Sequence, residues 1–257
     1  MNRSLVLLSA LAAGVPHGAP AQETPGKPAS WTLIIGIEAT HHVSGPFKEQ
    51  YYDAVEFASY YVYAHMNGLG GLHVPTALFV ASIGGERPGE PKAFHPINDF
   101  TGRTPAQIAA DLRSWFPPLD AFTDFNPFFR RVAMLVKERG LILAPLNVVL
   151  LSDGIMHVPG GGGDMKGENS IARIDLSPLE FVSRSVTVRL LYATPTTAES
   201  WKRLIKRKRV RMWTQVGDVM VGWRRQFRPD FPLEKQDDLW KWVADNVDFR
   251  VRGGGAF

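Results

Sequence analysis

The chain has 257 residues, a formal net charge of +4 and no cysteine. That length suits one α/β domain around one sizeable core. The missing thiol excludes cysteine nucleophiles, disulfide staples and a cysteine-anchored lipoprotein, and the modest net charge by itself names no partner.

Met1-Asn2-Arg3, an apolar run over residues 5–15 and Ala19-Pro20-Ala21 follow the basic, hydrophobic and small-residue order of a secretory signal peptide. Cleavage is expected after Ala21, with a periplasmic or secreted product; a genuine N-terminal helix is the alternative. The run is shorter than the about 20 apolar residues that span a bilayer. Residues 22–30, with Pro25, Gly26 and Pro28, read as a flexible leader, residues 31–252 as the domain, and 253–257 as a flexible tail.

Residues 31–37 form a near-continuous apolar run, as a strand buried on both faces requires. After a turn-like stretch from His41 to Pro46, residues 48–66 carry apolar side chains at helical spacing and on the other faces too, which predicts a buried helix stopped by Asn67-Gly68. Strands are expected over 74–83, at a short edge over 92–97, and over 146–151 and 185–192. Thr104-Pro105 and Asn126-Pro127 each place a cap before proline, opening helices over 106–115 and 128–139. Thr196-Thr197-Ala198-Glu199 has the capping-box pattern of a helix running to about 205. Residues 210–216 and 219–223 read as two more strands, and a last helix follows Pro232. Strands alternating with helices predict a parallel-rich sheet covered on both faces, with ligands bound beyond the carboxyl ends of the strands.

The string Val148-Val149-Leu150-Leu151-Ser152-Asp153-Gly154, with Thr123 about one helix upstream, resembles the von Willebrand factor type A family. The run from Phe94 to Phe100 ahead of the 106–115 helix is similar to the stretch preceding that family's metal-site threonine. The resemblance spans roughly residues 31–216. It implies a Rossmann-like three-layer α/β domain with a mostly parallel sheet, here with a C-terminal strand and helix extension. It also implies a metal-ion-dependent adhesion site at the top of the sheet. Carried over residue by residue, that site comprises Glu38, Thr40, His42, Thr123 and Asp153. Glu38-Ala39-Thr40-His41-His42 stands where the family has Asp-x-Ser-x-Ser. Thr40 keeps one hydroxyl, Glu38 is a methylene longer than aspartate, and His42 replaces a hard oxygen by an imidazole nitrogen. The site therefore holds one divalent cation, magnesium, manganese or zinc, or none. Each residue also has a plainer reading: Asp153 as a turn former before Gly154, Thr123 as a cap, and the two histidines as loop residues.

These residues, with the glycine-rich stretch 160–167 as a loop near the site, favour an exported module that binds a protein or an acidic ligand over an enzyme. A metal-dependent hydrolase using Glu38, His42, Asp153 and His157 is one alternative, and a structural subunit with a dead site is another. Met165 stands before Lys166 where a Walker string needs glycine, so the glycine-rich stretch is not a phosphate cradle. Lys202, Arg203, Lys206, Arg207, Lys208, Arg209 and Arg211 make a basic stretch that suits an anionic membrane surface, an acidic glycan or an acidic protein partner, or is simply solvated; export argues against nucleic acid.

Overall fold

In a computed structural model of the chain, residues 31–40, 46–87, 90, 93–158 and 168–248 are described. The expected signal peptide, leader and tail, His42 and the glycine-rich stretch lie outside them. Six strands form the main sheet: β1 (Thr32–Ile37), β2 (Ala77–Ser82), β4 (His95–Pro96), β6 (Leu146–Leu151), β7 (Val186–Ala193) and β8 (Arg211–Val216). Their order is β4-β2-β1-β6-β7-β8, parallel throughout except that β4 runs antiparallel to β2. Two short strands, β3 (Gly84–Gly85) and β5 (Phe122–Thr123), pair as a separate antiparallel ribbon.

Alternation along the central strands builds a core on each face. Leu33, Ile35, Ile37, Val149 and Leu151 point to one side, where α1 (Pro46–Asn67) and α2 (Pro105–Trp115) cover them. Ile34, Val148 and Leu150 point to the other, beneath α3 (Phe125–Glu138), the single turn α4 (Glu168–Ile171) and α5 (Pro195–Leu204). The protein is thus a three-layer α/β fold with a mostly parallel sheet. A strand that must be apolar on both sides gives a continuous apolar run, which is why β1 and β6 fall where the sequence places them.

Helix starts follow local chemistry. Thr104 caps α2 through a complete capping box with Gln107. The caps of α3 and α5 sit earlier than expected, at Asp124 and Thr194, and the proline that follows each falls in the first turn, where its missing N–H costs nothing. Strand β2 begins only at Ala77, and the edge strand shrinks to a two-residue pairing.

The expected strand over 219–223 is not one. Residues there form the short helix α6 (Gly217–Met220) and the start of α7 (Trp223–Gln226). Met220 and Trp223 are three apart and both buried against α1, while Val221 between them is exposed. A short apolar string that buries every third residue satisfies a helix, and the period won over β-propensity. The last helix, α8 (Asp237–Asn246), follows a 3-10 turn at Leu233–Lys235 and packs Trp240 and Val243 into the same core.

This C-terminal extension is pinned to α1 by buried Asp53. The carboxylate accepts from the Tyr192 hydroxyl (2.6 Å) and Trp223 Nε1 (3.2 Å) and pairs with the Arg224 guanidinium. Tyr192 sits at φ 76°, beside the register shift between Leu191 and Ala193 where β7 meets β8.

Candidate functional site

Parallel strands deliver their carboxyl ends to one rim of the sheet, and the backbone there places the chemistry. Glu38 follows β1 directly, its N–H donating to Leu151 O (3.0 Å), so the ends of β1 and β6 are locked side by side. Ser152 and Asp153 follow β6. Thr123 is held from both sides, through β5 pairing with Gly84 and through a two-bond bridge to His157 (3.0 and 2.8 Å). Thr40 is fixed by a bridge to Asp120.

Three hydroxyls converge on the Glu38 carboxylate. Thr40 Oγ1 (3.0 Å) and Thr123 Oγ1 (2.6 Å) donate to Oε1, and Ser152 Oγ (2.6 Å) donates to Oε2. Thr40, Thr123 and Ser152 are themselves buried. Ser152 Oγ also accepts from the Gly154 N–H (2.9 Å), and Asp153 Oδ1 accepts from the Ile155 N–H (2.8 Å), which shapes the turn after β6. Burial, and secondly the Glu38 carboxylate, push the Asp153 carboxyl up to about 8.

Of the five residues expected here, Glu38, Thr40 and Thr123 meet directly, Asp153 stands beside them on the same rim, and His42 lies outside the described residues. Ser152 is a member that sequence reasoning missed, although it stands next to Asp153 in the same string. Asp120 was missed as well: buried, it accepts from Ser82 Oγ (2.6 Å) and donates its N–H to Ala39 O (2.9 Å). Nothing local in Pro117-Pro118-Leu119-Asp120 marks it. Gly84 makes room for it, since a Cβ there would lie 2.4 Å from Phe122 O and 2.9 Å from Asp120 Oδ2.

Among the described residues no cluster of three acidic or histidine side chains exists; the donor set is two carboxylates and three hydroxyls. All five are oxygen donors, which suits a hard cation that keeps several waters. A hydroxyl that donates its proton to Glu38 retains lone pairs for a metal, so the network and a cation are compatible. On either side of Thr123 in sequence, Phe122 and Asp124 line a cavity of about 340 Å³ along the β3–β5 ribbon, whose rim carries both signs of charge, Arg87, Arg130 and Arg131 with Glu90 and Asp124.

No family model and no curated protein matches the chain. Proximal thread matrix protein 1 of the mussel byssus is a solved structure to which the chain is similar. The two share 13% sequence identity at a TM-score of 0.45, over 82% of this chain and 48% of that one, so the chain spans about half the length of that structure.

Proposed function

We propose that the chain is an exported binding module of the von Willebrand factor type A kind. It would capture an acidic protein or acidic small ligand at the carboxyl rim of its sheet, through one hard divalent cation held by Glu38, Thr40, Thr123, Ser152 and Asp153. The observation that carries this reading is the convergence of three hydroxyls on Glu38, next to a second carboxyl, that of Asp153. Magnesium or manganese fits the described oxygen donors better than zinc, which would draw on the imidazole of His42. Bound there, the cation supplies a positive centre that a partner carboxylate can coordinate. The protein groups do the rest: Glu38 holds the three hydroxyls oriented, and the cavity along the β3–β5 ribbon, with charges of both signs at its rim, receives the remainder of the ligand. The basic, apolar and small-residue order of residues 1–21 supports export, and mass spectrometry of the protein from its host would find the terminus near residue 22 if this is right.

Thermal denaturation in the presence of magnesium or manganese tests the site. At a hundredfold excess over Kd the cation adds about 2.7 kcal/mol, a rise in Tm of roughly 5–10 °C. Asp153→Ala should abolish that rise and weaken capture of the partner from envelope extract. Asp153→Asn, which removes one of two crowded carboxylates, should stabilise the cation-free protein by about 1 kcal/mol while losing the response to metal. A wild-type melt indifferent to both metals sinks the cation. Undiminished capture by Asp153→Ala sinks the site. A metal-dependent esterase or phosphatase activity lost in Asp153→Ala and Glu38→Ala would favour the hydrolase instead.

A further inference from the structure

The opposite rim of the sheet, where the strands begin, carries a second surface. Three loops lead into β6, β7 and β8, and each presents something that a solvated rim does not need. The loop before β6 exposes Ile142 (45%) and Leu143 (86%), and the segment before β7 exposes Phe181 (71%). The loop before β8 exposes Lys206, Lys208 and Arg209, and Arg184 is exposed between them.

The three loops form one rigid surface. Arg184 N–H donates to Ile142 O (3.0 Å), and the Ser183 hydroxyl donates to Ala144 O, tying the first loop to the second. Glu180 ties the second to the third: its buried carboxylate accepts the backbone N–H groups of Lys208 (2.6 Å), Arg209 (2.5 Å) and Val210 (3.3 Å). The Arg209 guanidinium lies 5.1 Å from the centre of the Phe181 ring. One acidic residue in this region is thus engaged by main chain and sealed from solvent, while the lysine and arginine heads face outward. Part of the basic stretch is engaged within the fold. Lys202 pairs with Glu199 (2.8 Å), and the Arg207 guanidinium donates to the carbonyls of Lys202 and Ile205 at the end of α5.

A single exposed leucine or phenylalanine is ordinary. Here Leu143 and Phe181 project from adjacent bonded loops among four cations. That pairing of apolar tips with basic flanks is what an interfacial contact with an anionic lipid surface requires: the tips enter the boundary of headgroup and acyl chain while the cations meet the headgroups. A protein partner needs a complementary shape for each projecting tip; a lipid surface needs none. Among the described residues no helix is long and apolar enough to cross a membrane, so contact by them would be peripheral. We infer that the amino-end rim of the sheet, through Leu143, Phe181, Arg184, Lys206, Lys208 and Arg209, docks the protein on an anionic lipid surface. The inference does not depend on the cation site, which occupies the other rim.

Flotation of the full chain with phosphatidylcholine vesicles, with and without 30 mol% phosphatidylglycerol, tests it at low ionic strength. Binding is expected to the anionic vesicles and not to the neutral ones. Lys206→Gln, Lys208→Gln and Arg209→Gln together should weaken it by about a hundredfold, at about 1 kcal/mol per charge. Phe181→Ser with Leu143→Ser changes no charge and should weaken it by about tenfold or more. All five side chains are exposed, so the variants should keep the wild-type melting curve, and Asp153→Ala should bind vesicles as wild type does. Equal binding to neutral vesicles, or none to anionic ones, overturns the inference. So does a charge variant that fails alone while the apolar variant binds normally, which would reduce the surface to unspecific electrostatics. Capture by immobilised polyglutamate without vesicle binding would turn the surface over to an acidic protein.

Discussion

Replacing Asp248 by alanine is expected to cost the fold about 3–5 kcal/mol, the penalty for stranding buried charges without their partner. Asp248 is 5% exposed and sits between two groups from α1: Tyr61, whose hydroxyl donates to Oδ1 (2.5 Å), and His65, whose Nε2 lies 2.9 Å from Oδ2. His65 Nδ1 is 3.1 Å from the His73 carbonyl, so the ring is held between that carbonyl and the Asp248 carboxylate. Arg189, 1% exposed in the middle of β7, completes the charge set. Burial alone would raise the Asp248 carboxyl, but His65, then the Tyr61 hydroxyl and Arg189, outweigh it and hold the group below its ordinary value. A carboxyl lowered in the folded state stabilises fully above its unfolded value of about 4 and loses that contribution as pH falls through the folded value. Urea denaturation between pH 7 and pH 2.5 should therefore show Asp248→Asn as less stable near neutrality and less sensitive to acid than wild type. Parallel wild-type and variant curves across that range would remove Asp248 from the account.

Gly154→Ala should be nearly as damaging, at about 3 kcal/mol or more, from two causes acting together. The residue has φ 82°, which side-chain-bearing residues rarely adopt. An added Cβ would also lie 2.5 Å from Leu190 Cδ2 and 2.8 Å from Trp201 Nε1. Trp201 is fully buried and cannot retreat cheaply, because its indole N–H donates to the Gly154 carbonyl (2.7 Å). The Asp153 backbone would have to shift, so the response to magnesium or manganese should fall along with Tm. An alanine variant within 0.5 kcal/mol of wild type, with its cation response intact, would show that the turn after β6 tolerates what the packing forbids.

Much of this was legible in the sequence because it is written in single, continuous strings. The buried strands β1 and β6 are near-continuous apolar runs, broken by Thr32 in one and Asn147 in the other, Thr104-Pro105 caps its helix as it reads, and Glu38, Thr40, Thr123 and Asp153 lie at strand ends in a recognisable order. What escaped notice is long-range. Asp248 finds Tyr61 at a sequence separation of 187, and Ser82 finds Asp120 at 38, with no local pattern to announce either. The segment 219–223 was misread because five residues suit a strand or a helical turn equally well until Met220 and Trp223 meet α1. Ser152 could have been found: it is the hydroxyl immediately before Asp153, in the string that placed Asp153.

Two residues far apart in the chain, Trp31 and Asp248, meet on one imidazole. Trp31, just before β1, packs edge-on against His65 with ring centroids 5.3 Å apart, and His65 holds Asp248. One side chain of α1 thus links the residue before β1 to the residues after α8, on the amino-end rim opposite Glu38 and Asp153, and a change at His65 should loosen both together.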